Sequence, residues 1–170
     1  DFGVQGVLDR FGQVKPKIFI CVDGYYYNGK EFDCLEKNKK IVSQLPSLKN
    51  TLLVRFVNNS SEFLDLSQSF FFDEIISKPT NTDIEFESVA FNDPLYILFS
   101  SGTTGVPKCI VHSVGGTLIQ HKKEHMLHCD IKNGDRVFFF STCGWMMWNW
   151  LVSSLASGAT LMLYDGSPFI

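Results

Sequence analysis

The chain has 170 residues, of which 45% are hydrophobic and 19% charged, a balance that suits a packed globular core and argues against disorder. Its net charge of −3 argues against a nucleic-acid binder, which needs a basic stripe to neutralise phosphates. Five scattered cysteines without a Cys-x-x-Cys pair argue against a disulfide framework or a cysteine zinc site, and suit a reducing compartment such as the cytosol.

The sequence opens at Asp1 without an initiator Met and stops at Ile170 just after a Ser-Pro, so it is expected to be part of a longer polypeptide. Ile18–Val22 reads as a short buried strand, followed by turn signals at Asp23-Gly24 and Asn28-Gly29. A helix is predicted from Asp33, whose carboxylate can cap it while Glu36 reaches back. Leu35, Val42 and Leu45 give that helix an apolar side, and Pro46 ends it. With a strand at Thr51–Val57, the three elements predict a β-α-β unit.

Residues 58–93 carry eight acids against one base, Lys78, and show little periodicity beyond a short element at Phe70–Ile76. They read as an acidic surface connection within one domain, leaving the remainder mildly basic and suited to anionic ligands. The pattern then sharpens. Tyr96–Phe99 reads as strand, 100–108 as loop, Cys109–His112 as strand and Val114–His128 as helix. Val137–Phe140 reads as strand, Met146–Leu155 as helix stopped by Gly158, and Thr160–Tyr164 as strand. The alternation predicts an α/β fold, a sheet covered by helices on both faces. Val137–Tyr164 holds no charged residue, but its Ser, Thr, Gly and Asn interruptions divide it into elements of ordinary length rather than one membrane span.

The loop reads Ser100, Ser101, Gly102, Thr103, Thr104, Gly105, Val106, Pro107, Lys108. Glycines let backbone N–H groups approach an anion without a Cβ in the way, and hydroxyls donate further hydrogen bonds. Lys108 adds a full charge and Pro107 fixes its approach. A plain Ser/Gly surface turn explains the composition but not the Pro-Lys ending between two strands. The common P-loop is excluded because Pro107 stands where its second glycine belongs, and the dinucleotide fingerprint fails because only two of its three glycines, Gly102 and Gly105, are present. A different phosphate loop is indicated.

The stretch YILFSSGTTGVPKCIVH resembles the signature loop of the adenylate-forming superfamily, which includes acyl-CoA synthetases, luciferases and peptide-synthetase adenylation domains. The likeness covers all 170 residues, as a partial AMP-binding domain without its C-terminal domain. It is strongest to the acetoacetate-activating branch of the acyl-CoA synthetases, through DFGVQGVLDRF, LPSLK, GWMMWNW and LYDGSP. The resemblance implies a large α/β N-terminal domain and a two-step reaction using ATP with Mg2+ and CoA. It implies small-molecule partners only, and it leaves oligomeric state open. It places ATP phosphates on Ser100, Ser101, Gly102, Thr103, Thr104, Gly105 and Lys108, with Thr104 and Lys108 the catalytic pair.

The resemblance also places Gly144, Trp145, Met146 and Met147 beside the acyl pocket. Acetyl-CoA synthetases commonly have Gly-Trp-Val-Thr-Gly-His here; the departure to Met146 and Met147 favours acetoacetate over acetate or propionate. Ordinary core packing of these Met and Trp residues is the alternative. Lys30 lies where the pattern has a basic residue near the CoA phosphate, although Tyr27 stands where a second is expected. His121, His125 and His128 have spacing that could hold zinc, but no matching cysteine or carboxylate set accompanies them, so they read as helix residues. His112, ending a strand, could face the site. An inactive copy that only binds nucleotide, or offers an interaction surface, is the reading from a different class.

Overall fold

A computed structural model describes residues 2–57, 68–78, 83–100 and 105–167. These residues form two compact units, one holding 2–84 with 105–108, the other 85–100 with 109–167.

The first unit begins with helix α1 (Val4–Val14). Val4, Val7, Leu8 and Phe11 recur at helical spacing and pack on the buried Phe19, Ile41 and Leu45. Strand β1 (Ile18–Val22) follows, then a hairpin of β2 (Gly24–Tyr27) and β3 (Lys30–Asp33). Its turn is Asn28-Gly29, with both residues at positive φ, as a two-residue hairpin requires. Helix α2 (Leu35–Ser43) returns the chain to β4 (Asn50–Val54), which runs parallel to β1 with Phe19 opposite Thr51. Asp33 ends β3 rather than starting the helix, yet its carboxylate accepts the Leu35 N–H at 2.8 Å. The strand expected at Thr51–Val57 stops at Val54, and the backbone N–H groups of Phe56 and Val57 turn to the buried Asp23 carboxylate at 2.9 and 3.0 Å.

Within the acidic segment, β5 (Ser69–Phe71) pairs parallel to β4 and leads into α3 (Phe72–Ile76). That segment thus supplies the third strand of a sheet ordered β1-β4-β5. Phe19, Leu53 and Phe71 lie on the face covered by α1 and α2. Helices cover that face alone among the described residues: Ile18 and Ile20 on the other are 55% and 58% exposed, and Phe70 is 47% exposed.

The second unit opens with an antiparallel hairpin of β6 (Pro94–Phe99) and β7 (Cys109–Ser113). Helix α4 (Val114–Lys123) continues directly into a π-helical turn, Glu124–His128. Strand β8 is only Arg136–Val137 and β9 only Thr160–Leu161, paired parallel. Between them α5 (Met146–Ser153) tightens into a 3-10 turn, Ser154–Ser157, and Gly158 ends it at φ 74°. Both strands are shorter than expected: Phe138, Phe139, Phe140, Leu163 and Tyr164 are exposed, with no partner strand to bury them among the described residues. Val137, Leu151 and Ala159 form this unit's core. No helix among the described residues is long and apolar enough to cross a membrane.

Candidate active site

The β6–β7 ladder ends at the pair Phe99–Cys109, so the nine residues 100–108 are the connection between two antiparallel strands. Ser101, Gly102, Thr103 and Thr104 lie outside the described residues. Ser100 follows the last residue of β6. Gly105 has φ 142°, a value that side chains rarely adopt, so this position needs the missing Cβ. Pro107 is buried and Lys108 exposed. Within the first unit, the Gln13 amide on α1 donates to the Pro107 carbonyl at 2.8 Å. Sequence reasoning missed Gln13, since no local motif marks a glutamine that bonds 94 residues along the chain.

The second unit contains an open cavity of about 720 Å3. Strand β7 contributes Val111, His112 and Ser113; α4 contributes Gly116, Thr117, Gln120 and His121; α5 contributes Met146, Met147 and Trp150. Of the four residues expected at the acyl side, Met146 and Met147 line this cavity. Gly144 and Trp145 do not, and Trp145 is exposed. Lys30 is exposed at the start of β3, opposite Tyr27, in the first unit.

The buried face of α4 and the π-helical turn is polar: Thr117 and His121 on the helix and His125 on the turn are buried, while Leu118 is 45% exposed. Leu118 therefore lies off the packed face. His121 is 8% exposed and shares a 2.8 Å hydrogen bond between its Nδ1 and the Ser153 hydroxyl. His125 is fully buried, its Nε2 3.0 Å from the Trp150 carbonyl and its ring edge-on to the Trp150 indole. His128 is exposed. Burial holds both His121 and His125 below the usual histidine range, with each other's proximity adding to the effect at His121. Glu124 accepts from Gln120 at 2.9 Å and pairs with Lys123 at 3.0 Å, which holds its carboxyl below its ordinary range. Among the described residues, no three His, Cys, Asp or Glu side chains converge as a metal site.

The sequence of residues 2–169 matches the family of AMP-binding enzymes. The chain belongs to that family. It is 54% identical over 170 residues to an acetoacetyl-coenzyme A synthetase of Rhizobium meliloti, covering 99% of this chain and 26% of that protein. It is 47% identical over 175 residues to a malonamoyl-CoA synthetase of Penicillium aethiopicum, covering 99% of this chain and 24% of that one. The solved acetoacetyl-CoA synthetase from Streptomyces lividans superposes with a TM-score of 0.89 at 44% identity, over 99% of this chain and 25% of that structure. The chain thus spans about a quarter of the length of these family members, and the α/β fold expected from sequence is that of the family's N-terminal part.

Proposed function

We propose that the polypeptide containing this chain is an ATP-dependent acid–thiol ligase that converts acetoacetate to its CoA thioester. In the first step a carboxylate oxygen attacks the α-phosphorus of MgATP, the bond to the bridging oxygen breaks, and pyrophosphate leaves. In the second, the CoA thiol, losing its proton, attacks the acyl carbon and AMP departs. The observation that carries the reading is the loop itself, a Ser/Thr/Gly run ending in Pro107-Lys108 and closed by the Phe99–Cys109 pair.

Ser100, Ser101, Thr103 and Thr104 would offer hydroxyls to the β- and γ-phosphates, and Lys108 a positive charge. Such fixed donors stabilise charge that grows on the leaving group without reorganising during the reaction. Gly102 and Gly105 would permit the backbone to approach. Mg2+ enters as part of the nucleotide substrate. The acid would lie against Met146 and Met147, and Lys30 would meet the CoA phosphate. Similarity to an acetoacetyl-CoA synthetase at 54% identity supports acetoacetate as the acid. None of the five cysteines is in a disulfide, which supports a cytosolic setting.

The full-length protein tests this. Acetoacetate should drive exchange of labelled pyrophosphate into ATP, and Lys108→Ala or Thr104→Ala should lower the rate by about a hundredfold or more. Exchange that is absent in the parent protein, or unchanged in both variants, would refute the assignment.

A further inference from the structure

The cavity between β7, α4 and α5 contains hydrogen-bonding groups that the two-step reaction does not use. Ser153 has one hydroxyl proton, and its oxygen lies 2.8 Å from the Trp150 carbonyl and 2.8 Å from His121 Nδ1. Were that proton given to His121, the serine and carbonyl oxygens would face each other at 2.8 Å with nothing between them. The proton therefore goes to the carbonyl, and His121 donates from Nδ1 to the serine oxygen. Its Nε2 is then a bare acceptor, and it makes no hydrogen bond among the described residues, on a side chain that lines the cavity. Beside it in the chain, the Gln120 amide gives one N–H to Glu124 at 2.9 Å and keeps a second available. Adjacent residues of α4 thus present a donor and an acceptor to the same space as Met146 and Met147.

We infer that Gln120 and His121 are the specificity-determining wall for the group at C3 of the acid, Gln120 donating to a C3 carbonyl and His121 accepting from whatever N–H or O–H follows it. This rests on the ligase reading above. Acetoacetate and malonamate both carry a carbonyl at C3, followed by a methyl in the first and an amino group in the second. The wall matches the carbonyl of both and the amino group of malonamate, so the substrate class is short 3-carbonyl acids, including those whose C3 carbonyl is an amide. Butyrate, which has neither group, offers the wall nothing.

The test is pyrophosphate exchange by the full-length protein with acetoacetate, malonamate and butyrate in parallel. The parent should use both carbonyl acids at a kcat/KM about tenfold or more above butyrate, the worth of one hydrogen bond left unmade. Gln120→Met, which keeps the side chain's length, should remove that preference while leaving butyrate within about twofold. His121→Asn retains a donor to Ser153 but removes the Nε2 acceptor, and should lower malonamate about tenfold with little effect on acetoacetate. Butyrate exchange in each variant reports that the fold is intact. If the variants slow all three acids equally, or none, the wall is not the selector and the inference falls alone. If no acid supports exchange in the parent, the ligase reading falls and carries the inference with it.

Discussion

The Gln13 side chain holds the carbonyl of Pro107 at 2.8 Å, tying helix α1 to the last turn of the loop before Lys108. Because proline has no N–H, that carbonyl is the only backbone hydrogen-bonding group through which Pro107 can be fixed. Gln13→Leu should leave the sheet intact and loosen the residue before Lys108. Steady-state kinetics of the full-length protein should show the KM for MgATP raised about two- to tenfold, the range expected for one neutral hydrogen bond. An unchanged KM would mean that the loop sets its own shape.

Asp23 anchors the first unit. Its carboxylate accepts the N–H groups of Phe56 and Val57, and its backbone bonds Val54 and Cys34. Asp23→Ala would bury two amides without acceptors, and urea unfolding should register a loss of about 3 kcal/mol. Asp23→Asn keeps an acceptor oxygen in place and should cost about 1 kcal/mol.

His121 and His125 predict an acid limit on stability. Both are held neutral by burial, so their folded pKa lies below the value near 6.5 of an exposed imidazole. As pH falls through 6.5 the unfolded chain takes up protons first, and stability drops until the folded imidazoles also titrate. Thermal unfolding from pH 7.5 to pH 5 should therefore show a falling midpoint, and His125→Phe should flatten the slope.

Cys21 predicts the opposite limit. Burial, with a smaller effect from Cys34, pushes its thiol from 9.0 up to about 12. The contribution is complete below pH 9 and is lost as pH rises toward 12, because the unfolded chain ionises first. At pH 8, iodoacetamide should label the exposed Cys129 and Cys143 within minutes, and Cys21 only after denaturation.

Met146 and Met147 border the cavity, whereas Trp145 is exposed and outside its lining. Replacing Met146 and Met147 with Val and Thr should change the ratio of acetoacetate- to acetate-dependent exchange by about tenfold, since pocket fit discriminates by one to a few kcal/mol. The same pair of substitutions would leave the ratio alone if these side chains only pack.

What sequence made readable is what depends on local pattern. The β-α-β unit showed in the apolar run Ile18–Val22 and the spacing of Leu35, Val42 and Leu45, and α2 lies there with β1 and β4 parallel on either side. The loop showed in its glycines and hydroxyls. Helix α1 went unread although Val4, Val7, Leu8 and Phe11 hold helical spacing, because glycines at Gly3, Gly6 and Gly12 dilute its propensity. The Asn28-Gly29 turn was seen, but not the hairpin around it, since Tyr25 and Phe32 stack only once the strands are paired. The polar face of α4 and of the turn after it could not be read, because His121 and His125 find their partners on α5, distant in sequence. Strands at Phe138–Phe140 and Met162–Tyr164 failed for the converse reason: hydrophobic residues make a strand only where another strand accepts their backbone.

The uncovered face of the β1-β4-β5 sheet bears on how these 170 residues would behave alone in a tube. Ile18, Ile20, Val22 and Phe70 make a greasy strip, and a net charge of −3 supplies little mutual repulsion between molecules. Light scattering should reveal clumping that grows with protein concentration and recedes when a mild nonionic detergent shields the strip.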